Sequence, residues 1–300
     1  LFFEGEVELL DEPRIRAGLF KVDKPVEFIS PYPYELKDVN GMVRYELPKD
    51  TQAVIHYKKG RYIFYAQGTT VNINTHLRLE PKAPSPQPSP LEGEGVSGVY
   101  FEIVNHEERP TWNPGLNYNQ FRDTFELRYS DENDTVWAIN ELQMEPYIAG
   151  LAEVSNNTPE EFRKAMAVAE RTYAYYQLQD GRKHVDRNFD VSSSWGDQVY
   201  RGYAREKRFD KVVEGVTATR GEMITYNKDV VVTPYFARSH GHTHSWKEVW
   251  GGSDKPWLVG VTTEYDAGKT EWGHGVGMSQ RDATHRAEDE DIDYIELLKH

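Results

Sequence analysis

Three hundred residues suit one large domain or two modest ones, and no apolar run is long enough to span a bilayer. A formal charge of -14 argues against nucleic acid or an anionic membrane surface as partner, because both need basic patches that displace counterions. The absence of cysteine excludes disulfides and thiol nucleophiles, while 19 Tyr and 7 Trp supply rings that can fill a core or stack on sugars.

The first 81 residues read as a small antiparallel β unit. Its strands are expected at 20–22, 26–29, 42–45, 53–57 and 62–65, divided by turn signals such as Asn40-Gly41 and Lys59-Gly60. Residues 82–96 are rich in Pro, Gly and Ser, have no periodic apolar face, and read as a disordered, exposed insertion. Strands resume at 98–104, 124–129 and 135–140. Pro146 suits the first turn of a helix running to about Val154. A second helix starts at Thr158-Pro159-Glu160-Glu161, where Thr158 and Glu161 have capping-box spacing. Its buried face is Phe162, Ala165, Met166, Ala169, Tyr173 and Tyr176, spaced at three and four. Strands are expected again at 212–214, 222–226 and 230–232. Ser279 and Asp282 are placed to cap a later helix, with another at 294–298. The fold class is α+β: an antiparallel β-rich N-terminal part (1–120) and a mixed helix/strand catalytic domain (121–300).

Three glycines alternate with His274, Val276 and Met278 in Glu271-Trp272-Gly273-His274-Gly275-Val276-Gly277-Met278-Ser279-Gln280. Alternate glycines strip one face of an extended segment and let a backbone or ligand approach. The spacing is not that of a dinucleotide fingerprint. The run closely resembles the C-terminal signature of the stage II sporulation protein D (SpoIID/LytB) family. Two further segments match in the family's order. One is Tyr147-Ile148-Ala149-Gly150-Leu151-Ala152-Glu153 with Ala165-Met166-Ala167-Val168-Ala169-Glu170-Arg171-Thr172-Tyr173-Ala174. The other is Gln198-Val199-Tyr200-Arg201-Gly202, followed by Tyr235–Ser239 and Glu248-Val249-Trp250-Gly251.

The resemblance implies a lytic transglycosylase acting on peptidoglycan glycan strands, or an amidase enhancer that acts on the wall without turnover of its own. It also implies an extracytoplasmic, wall-facing location, with other cell-wall hydrolases as partners. The chain begins with Leu1 rather than Met, so any signal or membrane anchor is expected upstream. Glu153 takes the family's catalytic position. On a helix it would share a nearly bare stripe with Pro146, Ala149 and Gly150. In a last turn, the helix dipole and partial burial would raise its pKa towards that of a general acid. One carboxyl group suffices for a transglycosylase, because the substrate's own 6-hydroxyl attacks the sugar carbon.

Lys164 and Arg171 match basic positions of the family and are expected to orient substrate, although Arg171 also suits a buried clamp. Tyr200, Ser239, His274, Ser279 and Gln280 complete the expected substrate-binding set, although Tyr200, like Tyr235 and Trp250, suits core packing as well as sugar stacking. No cofactor is expected. The alternative is a metal, zinc above all, on His240, His242 and His244, which would point one way on a strand and could be joined by His274. Some family members resemble zinc proteins with His and Cys ligands, and without cysteine that set cannot be carried over. After Gln280, Arg281-Asp282-Ala283 and the charge run 287–293 depart from the family pattern.

Overall fold

The computed structural model describes residues 12–82, 98–181 and 183–300. The Pro-rich insertion expected at 82–96 lies, except for Lys82, outside the described residues. Eight strands come first: β1 (Arg14–Lys21), β2 (Val26–Ile29), β3 (Tyr34–Lys37), β4 (Val43–Leu47), β5 (Ala53–Lys58), β6 (Arg61–Ala66), β7 (Thr69–Ile73) and β8 (Leu77–Pro81). They are followed by β9 (Tyr100–Ile103), β10 (Gln120–Arg122), β11 (Thr124–Ser130), β12 (Thr135–Gln143), α1 (Met144–Ala149) and α2 (Glu160–Asp180). Then come β13 (Val191–Ser192), α3 (Gly202–Glu206), α4 (Asp210–Ala218), β14 (Thr225–Tyr226), β15 (Asp229–Val230) and β16 (Tyr235–Phe236). The chain closes with α5 (Trp246–Trp250), β17 (Met278–Ser279), α6 (Gln280–Asp289) and α7 (Tyr294–Lys299). The described residues form two compact units, one of 12–153 with 180–209 and the other of 154–179 with 210–300. No helix among the described residues is long and apolar enough to cross a membrane.

The first unit holds two sheets of order β13-β1-β12-β11-β8-β3-β4 and β10-β9-β2-β5-β6-β7. Every pairing is antiparallel except that of β13 with β1. Burial alternates along β2, β3 and β6, as period-two patterning requires. The inward rings Phe28 and Phe101 of one sheet meet Tyr34 and Phe125 of the other at 5.2–6.3 Å. Lys59 and Gly60 both take positive φ (50° and 79°), the two-residue turn that suits the twist of the β5–β6 hairpin. Position 120, where the sequence suggested a boundary, is the first residue of β10 in this unit.

One sheet face carries a ladder of charge. The fully buried carboxylate of Glu126 meets Arg16 (2.7 Å), Arg128 (2.9 Å) and Arg78. Arg128 donates in turn to Nε2 of His76 (3.0 Å). Burial, then the charges of Arg128, Arg78 and Arg16, push His76 down to about 4.

In the second unit α2 runs where its periodicity placed it. Phe162, Ala165, Met166 and Ala169 are buried, and Tyr173 and Tyr176 pack against Val232, Leu258 and Val276. The Thr158 hydroxyl donates to Ser155 O, and the Glu161 carboxylate accepts from Lys164 and from Tyr294 N, so both capping-box members are engaged elsewhere. Residues 212–214, expected as a strand, form part of α4. Val212, Gly215 and Val216 are buried at i, i+3 and i+4, a pattern that the segment Val212-Val213-Glu214 is too short to reveal.

Candidate functional site

Glu153 lies beyond the helix that was expected to carry it. Helix α1 ends at Ala149 with Gly150 as its C-cap, four residues before Glu153. Tertiary pairing stops it. Leu151 bridges Tyr200, Ala152 N donates to Val199 O (2.8 Å), and Arg201 N donates to Gly150 O (2.8 Å). A side chain at Gly150 would press on the Tyr200 ring, its Cβ 2.6 Å from Cε2. The bare helical stripe and the helix-dipole argument therefore do not apply to Glu153. Its carboxyl group is held instead by backbone: Val199 N–H donates to Oε1 at 2.8 Å, and the side chain is half-buried.

The segment that braces Glu153 is itself deeply anchored. Tyr200 is 2% exposed, lies 4.9 Å from the Tyr147 ring, and donates its hydroxyl to Oδ1 of Asn140 (2.8 Å). The Tyr147 hydroxyl donates to the buried amide oxygen of Gln198 (3.1 Å). Helix α3 follows directly, fixed by the buried, two-pronged Arg122–Glu206 pair at 2.6 and 2.7 Å. Tyr200 is thus a core residue and offers no face to a sugar. The most exposed ring among the described residues of this unit is Trp195, 85% exposed, on the loop that leads to Val199. It borders an open cleft with Phe20, His106, Glu108 and Arg201, where Arg201 pairs with Glu108 at 2.6 Å.

The other expected residues belong to the second unit. Arg171 is fully buried and donates to the carbonyls of Ala167, Val216 and Glu222 (3.1–3.4 Å), tying α2 to α4 and to the segment after it. It is a clamp and not a substrate ligand. Lys164 pairs with Glu160 and Glu161 at 2.7 and 2.8 Å on the helix surface. Ser239 is buried, with its N–H on Asp266 and its hydroxyl 2.5 Å from that of Thr263. Ser279 is also buried. It donates to the same Asp266 oxygen (2.6 Å) and caps α6 as its spacing predicts. Both serines hold the fold together, and Ser279 also borders a cavity with Leu258 and Arg286. Gln280 opens α6, and its amide nitrogen is buried without a partner.

The glycine run is not an extended strand before Met278. Gly273, Gly275 and Gly277 take φ of 116°, 72° and 79°, which side chains rarely adopt. Their bare faces are closed by protein. A Cβ at Gly273 would meet Phe236, and one at Gly277 would meet the Pro234 carbonyl. His274 accepts from Val276 N on Nδ1 (3.1 Å) and packs on Trp250 (4.9 Å) and Phe236 (5.6 Å). Burial lowers its pKa, against a hydrogen bond to the Tyr235 backbone and the charge of Glu271. Trp250 and Trp272 stay 45% and 63% exposed on either side of it in sequence.

Of the three alternating histidines, two converge. His240 Nδ1 and His244 Nε2 lie 3.3 and 3.1 Å from Oε2 of Glu271. His242 does not join them, because Gly241 between them takes φ +115° and breaks the pleat. Its ring lies instead beside Gly260. His274 does not join them either. Glu271, Trp195 and Gln198 were not singled out as site residues from sequence. Glu271 is 31 and 27 residues from its histidines, and no local pattern links them.

Residues 132–226 match the family model SpoIID: Stage II sporulation protein. Through this region the chain is similar to the SpoIID family. It is 36% identical over 166 residues to an uncharacterized protein of Brachyspira hyodysenteriae, covering 55% of this chain and 43% of that one. It is 24% identical over 143 residues to the stage II sporulation protein D of Bacillus subtilis, covering 43% of this chain and 41% of that one. The match to the protein of the same name from Bacillus amyloliquefaciens has the same identity and coverage. The chain spans about two fifths of the length of the curated relatives it matches.

Proposed function

We propose that this protein cleaves the MurNAc-GlcNAc bond of peptidoglycan glycan strands as a lytic transglycosylase, outside the cytoplasm, with Glu153 as acid and then base. The observation that carries the reading is the bracing of Glu153. A catalytic carboxyl group must keep one position through two proton transfers, and the Val199 N–H on a backbone bridge to Tyr200 supplies that. In the first step Glu153 gives its proton to the glycosidic oxygen, and the bond to the sugar carbon breaks. The 6-hydroxyl of the same sugar then attacks that carbon and returns its proton to Glu153. The product carries a 1,6-anhydro ring, and no water is consumed. Exposed Trp195, on the loop feeding the brace, supplies an apolar face for a sugar ring.

The Val199 N–H would hold equally well a carboxyl group that only binds or orients a strand. The same donor favours a second reading, a wall-binding or amidase-enhancing protein without turnover. Incubation with purified glycan strands, with and without stem peptides, followed by mass analysis of fragments, separates the two. The transglycosylase yields anhydro-muramyl ends, which Glu153→Gln abolishes while glycan binding persists. Cleavage to reducing ends alone, or no cleavage by the parent chain, overturns the assignment.

A further inference from the structure

We infer that His240, His244 and Glu271 form a binding site for a divalent transition metal ion of the zinc type, with one coordination position left open. The two histidines and the carboxylate place one ligand atom each within 4.8 Å of one another. Zinc holds nitrogen and oxygen ligands at about 2.0–2.2 Å, so neighbouring ligand atoms of a tetrahedral site stand about 3.3–3.6 Å apart. Two edges of the present triangle, 3.3 and 3.1 Å, are close to that spacing. The third closes by rotation of His240, whose side chain is 52% exposed.

The backbone is already arranged for it. The segments bearing the histidines and the carboxylate are joined on either side of the cluster, by Trp272 N–H to Arg238 O (2.9 Å) and His244 N–H to Gly275 O (2.7 Å). Gly275 is required here. A Cβ on it would lie 2.5 Å from Cδ2 of His244 and 2.9 Å from Oε2 of Glu271, in the space the ligand atoms use. Among the described residues no lysine or arginine pairs with Glu271, so its charge is left to the imidazoles or to an ion. Two imidazoles and one carboxylate suit zinc, copper or nickel, and do not suit magnesium or calcium, which prefer oxygen shells. Three protein ligands at a surface leave the fourth position to water or to an oxygen of a bound molecule.

Isothermal titration of the tag-free, metal-stripped chain with Zn2+ tests the site, with Mg2+ as control. One zinc ion should bind per chain, and magnesium should not compete. Co2+ in its place should give the intense visible absorption of a four- or five-coordinate ion. His240→Ala, His244→Ala and Glu271→Gln should each weaken zinc at least about tenfold, the loss that even a supporting residue costs a metal site. His242→Ala should leave affinity unchanged. His240 is exposed and Glu271→Gln keeps the side-chain shape, so far-UV circular dichroism should match the parent. Absence of stoichiometric binding, zinc affinity that survives Glu271→Gln and His244→Ala, or a weak octahedral cobalt spectrum overturns the site.

Discussion

Replacing Tyr200 by phenylalanine separates a core residue from a sugar-stacking one. The ring and its packing on Tyr147 remain, so no cavity opens. What is lost is the hydroxyl donor to Oδ1 of Asn140, a fully buried side chain whose Nδ2 donates to the carbonyls of Arg122 (2.6 Å) and Thr124 (3.0 Å). An acceptor stranded in the core costs about 1–3 kcal/mol. With a urea slope of about 3 kcal/mol/M, the midpoint should fall by about 0.3–1 M. Tryptophan fluorescence and circular dichroism should be followed together, and coincident curves establish that one transition is being read. In an Asn140→Ala background the same substitution should cost less, because the stranded acceptor is gone. An unchanged midpoint together with weaker glycan binding would refute the reasoning and put the hydroxyl on a ligand.

Arg171→Leu should lower stability by about 3 kcal/mol or more, since three buried carbonyls lose their donor. Lys164→Ala, which breaks only surface pairs, should stay within about 1 kcal/mol. Equal losses in urea unfolding would undo this contrast. His76 predicts acid sensitivity. Its folded pKa lies below its ordinary 6.5, at about 4, so the unfolded chain takes up the proton first. Its contribution is flat above pH 6.5, and stability is lost as pH falls from there to about 4. The ring is about half exposed, which reduces the size of the effect but not its sign. Stability measured across this range should slope less in His76→Gln, and an identical slope would remove His76 as the cause.

Alternation and turn chemistry made much of the β unit legible. The Lys59-Gly60 hairpin and strands β2, β5 and β6 follow directly from local pattern. β3, β7 and β8 did not, because each is only four or five residues long and mixes charged or polar residues with few apolar ones. Helix α2 was visible in its periodicity and α6 in the Ser279 cap. The end of α1 was invisible, since Tyr200 decides it from half a hundred positions away. Likewise, nothing near His240 or His244 announces Glu271. For Arg171 and Tyr200 the motif left a buried role and a substrate-facing role both open, because sequence shows which residue is present and not which way it faces; the buried role is the one observed.

Residues 180–209 complete a unit whose first part ended at 153. The backbone donor of Glu153 comes 46 residues after it. During synthesis that carboxyl group therefore waits through the whole of α2 before its brace leaves the ribosome. A fragment cut at 153 retains the glutamate but loses the bridge that positions it.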